Sequence, residues 1–330
     1  MGTNNILLNM GIAELSLHGL IIAIGLVIGV LLSSFLAHKS GLPNGSIKIL
    51  ALIAVPLGLI FSRLVYCAFN WDLFEDEPLA IFRFTDGGYA IMGAFLGGLY
   101  ALFICARITG VKLKHLVNAA VPGAVLAVAI GRLSAFFTLE DCGNIIENKL
   151  LQFPPIGIYN AESEMWVYSV FIYEALAALI AAALGVFIWF HKPSLRFHPG
   201  ENAAAISLMF YGAAQTVFEP MRTDVLWLGF VNANQVFGIL LAVAGFVALS
   251  VSSIKHVGFS FWHILRWLAA LALIGLGFKS QFRVTAEGEA MSYVYVALCM
   301  IGLFALGVCL SQDALSKKAI RKNNADNWYL

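Results

Sequence analysis

LHGLIIAIGLVIGVLLSSFLA, residues 17–37, carries a single histidine and no lysine, arginine, aspartate or glutamate. An α-helix rises about 1.5 Å per residue, so roughly 20 apolar residues cross the hydrocarbon core of a bilayer. The stretch has that length and reads as a transmembrane helix. Working outward, comparable stretches recur near 47–65, 88–106, 116–135, 167–190, 203–218, 235–254, 261–278 and 290–311, which gives nine expected spans. Short alternating strands do not recur, and in lipid only helices and closed barrels satisfy their own backbone groups. The expected fold is all-α, a polytopic integral membrane protein.

Composition agrees. Of 330 residues, 60% are hydrophobic and 12% charged, with a mean hydropathy of +0.85, which is too apolar for a soluble domain of this length. The net charge of +1 gives no basic surface for nucleic acid. The first residues, MGTNNILLNMGIAELS, lack the basic start of a signal peptide, and Ile6 breaks the myristoylation pattern. The first helix is therefore expected to be retained.

The placement of charge is more informative than its sum. Loops after the odd-numbered spans carry Lys39, Lys48, Arg107, Lys112, Lys114, Lys192, Arg196 and Lys255, and the tail adds Lys317, Lys318, Arg321 and Lys322. Basic loops stay on the cytoplasmic side. The other side holds the acids of 66–87 and 136–166, two long loops expected to form a cap with Trp71 and Trp166 at headgroup level. An odd number of spans then puts the N-terminus outside and the C-terminus in the cytoplasm.

No internal repeat emerges. The polar residues of 1–255 mark a seven-helix core, whereas 256–330 adds two helices, with few polar groups besides Arg266, and a basic tail. The five cysteines form neither a metal pattern nor a disulfide framework. Cys67 and Cys142, on the oxidising side, read as small apolar side chains or as a bridge. Six of the seven histidines fall on the cytoplasmic face, and no metal cluster is expected.

Charged groups at membrane depth are costly, so they are the candidates for function. Four segments hold them. Asp86-Gly87-Gly88-Tyr89-Ala90-Ile91-Met92-Gly93, running on to Gly97-Gly98, allows close backbone approach, either to a ligand or to a neighbouring helix. Gly131-Arg132, leading to Glu140-Asp141-Cys142-Gly143, ends an apolar span in a guanidinium that suits a lipid phosphate or an internal pair with Glu140 or Glu174. Tyr173-Glu174 buries a carboxylate seven residues into the fifth span, where Arg132 or Arg63 has the right sign to pair with it. Glu219 and Arg222, three apart, share a face on a helix, although Pro220 threatens to end that helix first.

In order and spacing these segments resemble the phosphatidylglycerol:prolipoprotein diacylglyceryl transferase family of bacterial inner membranes. The likeness runs from Arg63, Tyr66, Asn70-Trp71 and Pro78 through Gly87-Gly88, Gly93 and Gly97-Gly98. It continues through Gly131-Arg132, Phe136, Glu140, Gly143, Tyr173-Glu174, Glu219, Arg222 and Asp224 to Gln235. The resemblance implies transfer of a diacylglyceryl group from phosphatidylglycerol to the cysteine thiol of a lipoprotein signal peptide, with release of glycerol phosphate and without a cofactor. It implies catalytic roles for Arg132, Glu140 and Arg222, with Arg132 on the lipid phosphate. Substrate binding would fall to Arg63, Gly88, Tyr89, Gly93, Gly143, Glu219 and Gln235. The partners implied are the lipid, the lipoprotein precursor and the bacterial inner membrane.

The chain also departs from the family pattern. Met92 stands where the family usually has His or Tyr, and Ala135 where it has Asn. Gln215 stands where an Arg is common, and Tyr168, Ser169 and Phe171 replace a His-Pro and a Gln. A related transferase with another acceptor, or a non-catalytic lipid-binding or transport protein, are the alternative expectations.

Overall fold

A computed structural model describes residues 6–9, 14–84, 87–139, 141–161, 163–190, 200–228, 231–287 and 290–314. The helices are α1 (Leu17–Lys39), α2 (Ser46–Phe69), α3 (Ile91–Thr109), α4 (Leu113–Arg132), the short α5 (Ala135–Thr138), α6 (Val170–Phe190), α7 (Ala203–Phe218), α8 (Ala233–Val257), α9 (Phe261–Glu287) and α10 (Ala290–Ala314). Among the described residues, eight helices are long and apolar enough to cross a membrane. The expected ninth, α7, has only 16 residues. It lies inside the bundle among small side chains and runs on into a 3-10 turn, Glu219–Met221.

Three two-residue to four-residue hairpins occupy loops that the hydropathy reading could not resolve. They are β1 (Ile6–Asn9) with β2 (Glu14–Ser16), β3 (Gly157–Asn160) with β4 (Met165–Tyr168), and β5 (Trp227–Leu228) with β6 (Val231–Asn232), all antiparallel. The second hairpin corrects the expected start of the fifth span at 167. Met165–Tyr168 pairs with β3 in the register Gly157↔Tyr168 and Asn160↔Met165, so the helix begins only at Val170. Glu174 therefore sits near the start of α6 rather than deep within it. The Gly87-Gly88 pair likewise precedes its helix instead of starting it, since α3 opens at Ile91.

Helices meet where side chains are small. α1 packs on α4 through Gly29, where an added Cβ would come 2.5 Å from the Gly123 carbonyl oxygen. α2 packs on α3 through Gly93 and Gly97, whose hypothetical Cβ atoms would lie 2.4 Å and 2.5 Å from the Phe61 and Leu57 carbonyl oxygens. This is the small-xxx-small contact that membrane helices use when lipid offers no hydrophobic driving force. Large apolar side chains point outward instead: Leu52 is 78% exposed and Leu271 66%, as suits a lipid-facing surface.

α9 and α10 pack on each other, and α10 also lies against α7 and α8. Phe304 meets Phe210 edge-on with ring centroids 5.1 Å apart, and Gly307 makes room for Met209. The Tyr293 hydroxyl of α10 donates to the Pro220 carbonyl at 3.3 Å, within the 3-10 turn that follows α7.

Candidate active site

Five element ends converge on one polar cluster. α4 ends on Arg132, where the C-terminal end of the helix dipole favours a cation. α6 brings in Glu174 near its start, and the last turns of α7 bring Tyr211 and Gln215. Pro220 opens the 3-10 turn that carries Glu219 and delivers Arg222. At the start of α8, Asn232 caps the helix by accepting from the backbone N–H of Asn234 (3.1 Å) and Gln235 (3.4 Å), which fixes those two residues.

The two guanidinium groups share one carboxylate. Asp141 gives one oxygen to Arg132 and the other to Arg222. Arg132 also faces Glu174, with Nε 3.2 Å from Oε2, although the N–H points away from a hydrogen-bonding line. Arg222 reaches Glu219 at 3.5 Å and Asp224 at 3.0 Å. The expected Glu219–Arg222 pair thus forms, on a 3-10 turn rather than an α-helix, so Pro220 does not prevent it. Glu174 takes Arg132 as its partner, not Arg63.

Neutral amides bind the buried carboxylates from below. Gln215 Nε2 donates to Glu174 Oε1 at 2.9 Å and to Glu219 Oε2 at 2.5 Å, while Asn234 Nδ2 donates to Glu219 Oε1 at 2.9 Å. Glu219 is 0% exposed. Gln235 is also buried and donates to the Thr216 carbonyl at 3.1 Å, which joins α8 to α7 behind the cluster. Tyr211, stacked on Phe95, lies beside Arg132. Its hydroxyl, like Arg132 Nη2 and Asn234 Oδ1, has no hydrogen-bond partner among the described residues.

Electrostatics follow from this crowding. Burial would raise the Asp141 carboxyl, but Arg132 and Arg222 outweigh it and hold the group below its ordinary value. Burial would lower Arg222, but Asp141 and Glu219 hold its charge more firmly than usual. The neighbouring Cys142 thiol is pushed up to about 11 by burial, with Asp141 and Asp224 adding to the effect. Cys67 and Cys142 are both free thiols.

The glycine-rich segment belongs to a second structure. Arg63 is buried and donates to the carbonyls of Ala80 (2.9 Å), Ile81 (3.2 Å), Gly87 and Gly88 (3.4 Å), with Phe74 stacked at 5.3 Å. It thereby holds the 78–82 turn and the Gly87-Gly88 pair against α2. Gly88, at φ +72°, leaves no room for a Cβ, which would strike the Tyr66 ring at 2.5 Å. Tyr89 donates to the Phe84 carbonyl, and Met92 is buried in an apolar cluster with Ala90 and Ala233. Gly93 packs on α2 as described above. Gly143 bridges to Arg222 and donates to the Tyr168 carbonyl at 2.8 Å, tying the loop after α5 to both β4 and the arginine. Glu140 and Asp86 lie outside the described residues.

Sequence reasoning missed Asp141 as the shared counterion, and it missed Tyr211 and Asn234 altogether. Adjacency to Glu140 in an acidic loop after Arg132 was the available signal for Asp141. Tyr211 lies in an apolar run with nothing to single it out.

The family model for prolipoprotein diacylglyceryl transferase matches residues 5–251. A phosphatidylglycerol–prolipoprotein diacylglyceryl transferase of Lactococcus lactis is 29% identical over 252 residues, covering 75% of this chain and 94% of its own length. One from Synechococcus elongatus is 31% identical over 249 residues, covering 74% and 85%. One from Lysinibacillus sphaericus is 29% identical over 259 residues, covering 76% and 93%.

Proposed function

The chain belongs to the prolipoprotein diacylglyceryl transferase family, and from that premise we propose how its polar cluster serves the transfer. The reaction moves a diacylglyceryl group from phosphatidylglycerol to a prolipoprotein. The acceptor is the cysteine thiol of the signal peptide. Its sulfur gives up the thiol proton and forms a thioether to the glyceryl carbon. The carbon–oxygen bond to phosphate breaks, and glycerol phosphate leaves with the bonding electron pair and can take up the released proton.

The observation that carries this reading is the pair of arginines, Arg132 and Arg222, converging on a single anion at the end of the bundle. The phosphodiester carries one negative charge, and the leaving glycerol phosphate gains a second as it takes the electron pair of the broken carbon–oxygen bond. Two preorganised guanidinium groups in a water-poor site stabilise that charge without reorganising. Glu219 holds Arg222 in place, Gly143 ties the loop to Arg222, Gln235 holds α8 against α7 behind it, and Glu140 takes the catalytic role that the family likeness implies. Arg63, Gly88, Tyr89 and Gly93, assigned to substrate binding, act by fixing the glycine-rich segment against α2 rather than by direct contact.

Residues 1–255 form the transferase core and 256–330 an added helix pair; the family match ending at 251 supports that division. The protein works in the bacterial inner membrane, with the cluster and the N-terminus on the outer side and the C-terminus in the cytoplasm. The basic loops named above support this orientation.

The test is direct. Membranes containing the full chain are given labelled phosphatidylglycerol and a lipobox peptide, and labelled thioether product is measured. Label above that of empty membranes supports the assignment; label equal to the empty-membrane control rejects it.

A further inference from the structure

The shared carboxylate has the shape of the ligand it would have to make way for. Asp141 presents one oxygen to Arg132 and the other to Arg222. A phosphodiester also spreads one negative charge over two equivalent non-bridging oxygens. We propose that Asp141 is an exchangeable internal anion, whose carboxylate holds, in the lipid-free protein, the position that the phosphodiester of the donor lipid takes between Arg132 and Arg222. This deepens the transferase reading and rests on it.

Charge argues for exchange rather than addition. Among the described residues, two guanidinium groups face four carboxylates: Asp141, Glu174, Glu219 and Asp224. A phosphate added to that set would meet a surplus of like charge in a largely dry site, where such repulsion is strong. A phosphate that replaces one carboxylate leaves the balance unchanged.

Of the carboxylates that meet Arg132, Asp141 is the one able to leave; Asp224, with its side chain 45% exposed, meets only Arg222 of the two arginines. Glu174 and Glu219 have side chains 1% and 0% exposed and are held by Gln215 and Asn234. The Asp141 side chain is 16% exposed and sits between α5 and the hairpin, outside any helix or strand. Its backbone, and that of Leu139, have φ of +58°, a region that leucine in particular rarely occupies. Arg132, whose side chain is nine-tenths buried, has Nε beside the Glu174 carboxylate at 3.2 Å, while its Nη2, on the Tyr211 side, makes no well-aligned hydrogen bond among the described residues. A tetrahedral phosphate carries a further oxygen for that donor.

The test uses the full chain in maltoside micelles, which contain no phosphate, with phosphatidylglycerol and inorganic phosphate as separate probes. Exchange predicts that Asp141→Asn binds phosphatidylglycerol about tenfold more tightly than the wild type, because the competing anion is gone. It also predicts that lipid binding to the wild type speeds amide hydrogen exchange in 139–143, since the Asp141 N–H now held by Asp224 at 3.2 Å is released. Unchanged or weaker lipid affinity in a folded Asp141→Asn variant overturns the proposal. If that variant does not fold, the exchange measurement decides alone, and slower exchange in 139–143 overturns it. Tighter binding of inorganic phosphate without tighter binding of lipid overturns the lipid assignment. Absence of thioether product from the wild type, with these binding results intact, rejects the transferase reading and leaves the exchange standing.

Discussion

The amide of Gln215 donates to Glu174 at 2.9 Å, and the same nitrogen reaches Glu219 at 2.5 Å. One neutral group therefore spaces the two carboxylates that back Arg132 and Arg222. Gln215→Leu removes that donor from two buried acceptors, and its expected cost is about 1–3 kcal/mol of stability. Thermal unfolding in micelles measures it. Gln215→Arg places a third cation among the carboxylates and is expected to raise transfer about tenfold, since a well-placed anion donor is worth on the order of 10²-fold or more. Transfer lower than wild type in a stably folded Gln215→Arg protein contradicts this account.

Arg132→Ala removes one of the two groups proposed to meet the phosphate. Transfer is expected to fall at least about 10²-fold. Lys149→Ala, on the exposed 3-10 turn Lys149–Leu151, is expected to leave the rate unchanged. Equal losses in the two variants speak against the assignment of Arg132 to the phosphate.

Asp141 makes stability depend on pH in a defined direction. Its carboxyl lies below the ordinary 3.8 in the folded protein, so the unfolded chain binds its proton first as pH falls. The resulting stabilisation is complete above pH 3.8 and disappears as pH drops through the lower folded value. The wild type is therefore expected to melt above Asp141→Asn at neutral pH, with the gap closing only in strong acid. A gap that closes near pH 6 points to another group.

The Cys142 thiol, moved from 9.0 to about 11, has about 100-fold less thiolate at neutral pH than an ordinary cysteine. Alkylation followed peptide by peptide is expected to show Cys142 as slow at pH 7, with an inflection near 11. An inflection near 8.5 contradicts the burial and the carboxylates placed around it.

Gly93→Ala and Gly98→Ala separate packing from propensity. The first adds a Cβ 2.4 Å from the Phe61 carbonyl oxygen and must push α3 off α2; the second adds one where nothing lies within 4 Å. Gly93→Ala is expected to lower the melting temperature in micelles. Gly98→Ala, gaining only helix propensity of about 0.5–1 kcal/mol, is expected to hold or raise it.

Most of the helical layout was legible because a membrane span is written in length and apolarity, as in residues 17–37. What escaped was set by pairing. Hydropathy counts Val167–Tyr168 as the start of a span, but β3 claims their backbone hydrogen bonds. In the site, Arg132, Glu219 and Arg222 stood out because charge near membrane depth is conspicuous. Their arrangement did not, because the linking residues are ordinary by type. Gln215 and Asn234 are neutral, Tyr211 is one aromatic among many, and Asp141 is one acid in an acidic loop. Arg63 was legible as important, but its main-chain carbonyl partners have no side-chain signature.

The hydroxyl of Tyr293 on the Pro220 carbonyl joins a helix beyond the family match to the turn that presents Glu219 and Arg222. Similarity would cut the chain near residue 251, but mechanics would not. A shortened protein would leave the Pro220 carbonyl without the Tyr293 donor, and the turn held by α7 and α8 alone. The last two helices are in this sense a buttress raised against the turn that presents Glu219 and Arg222.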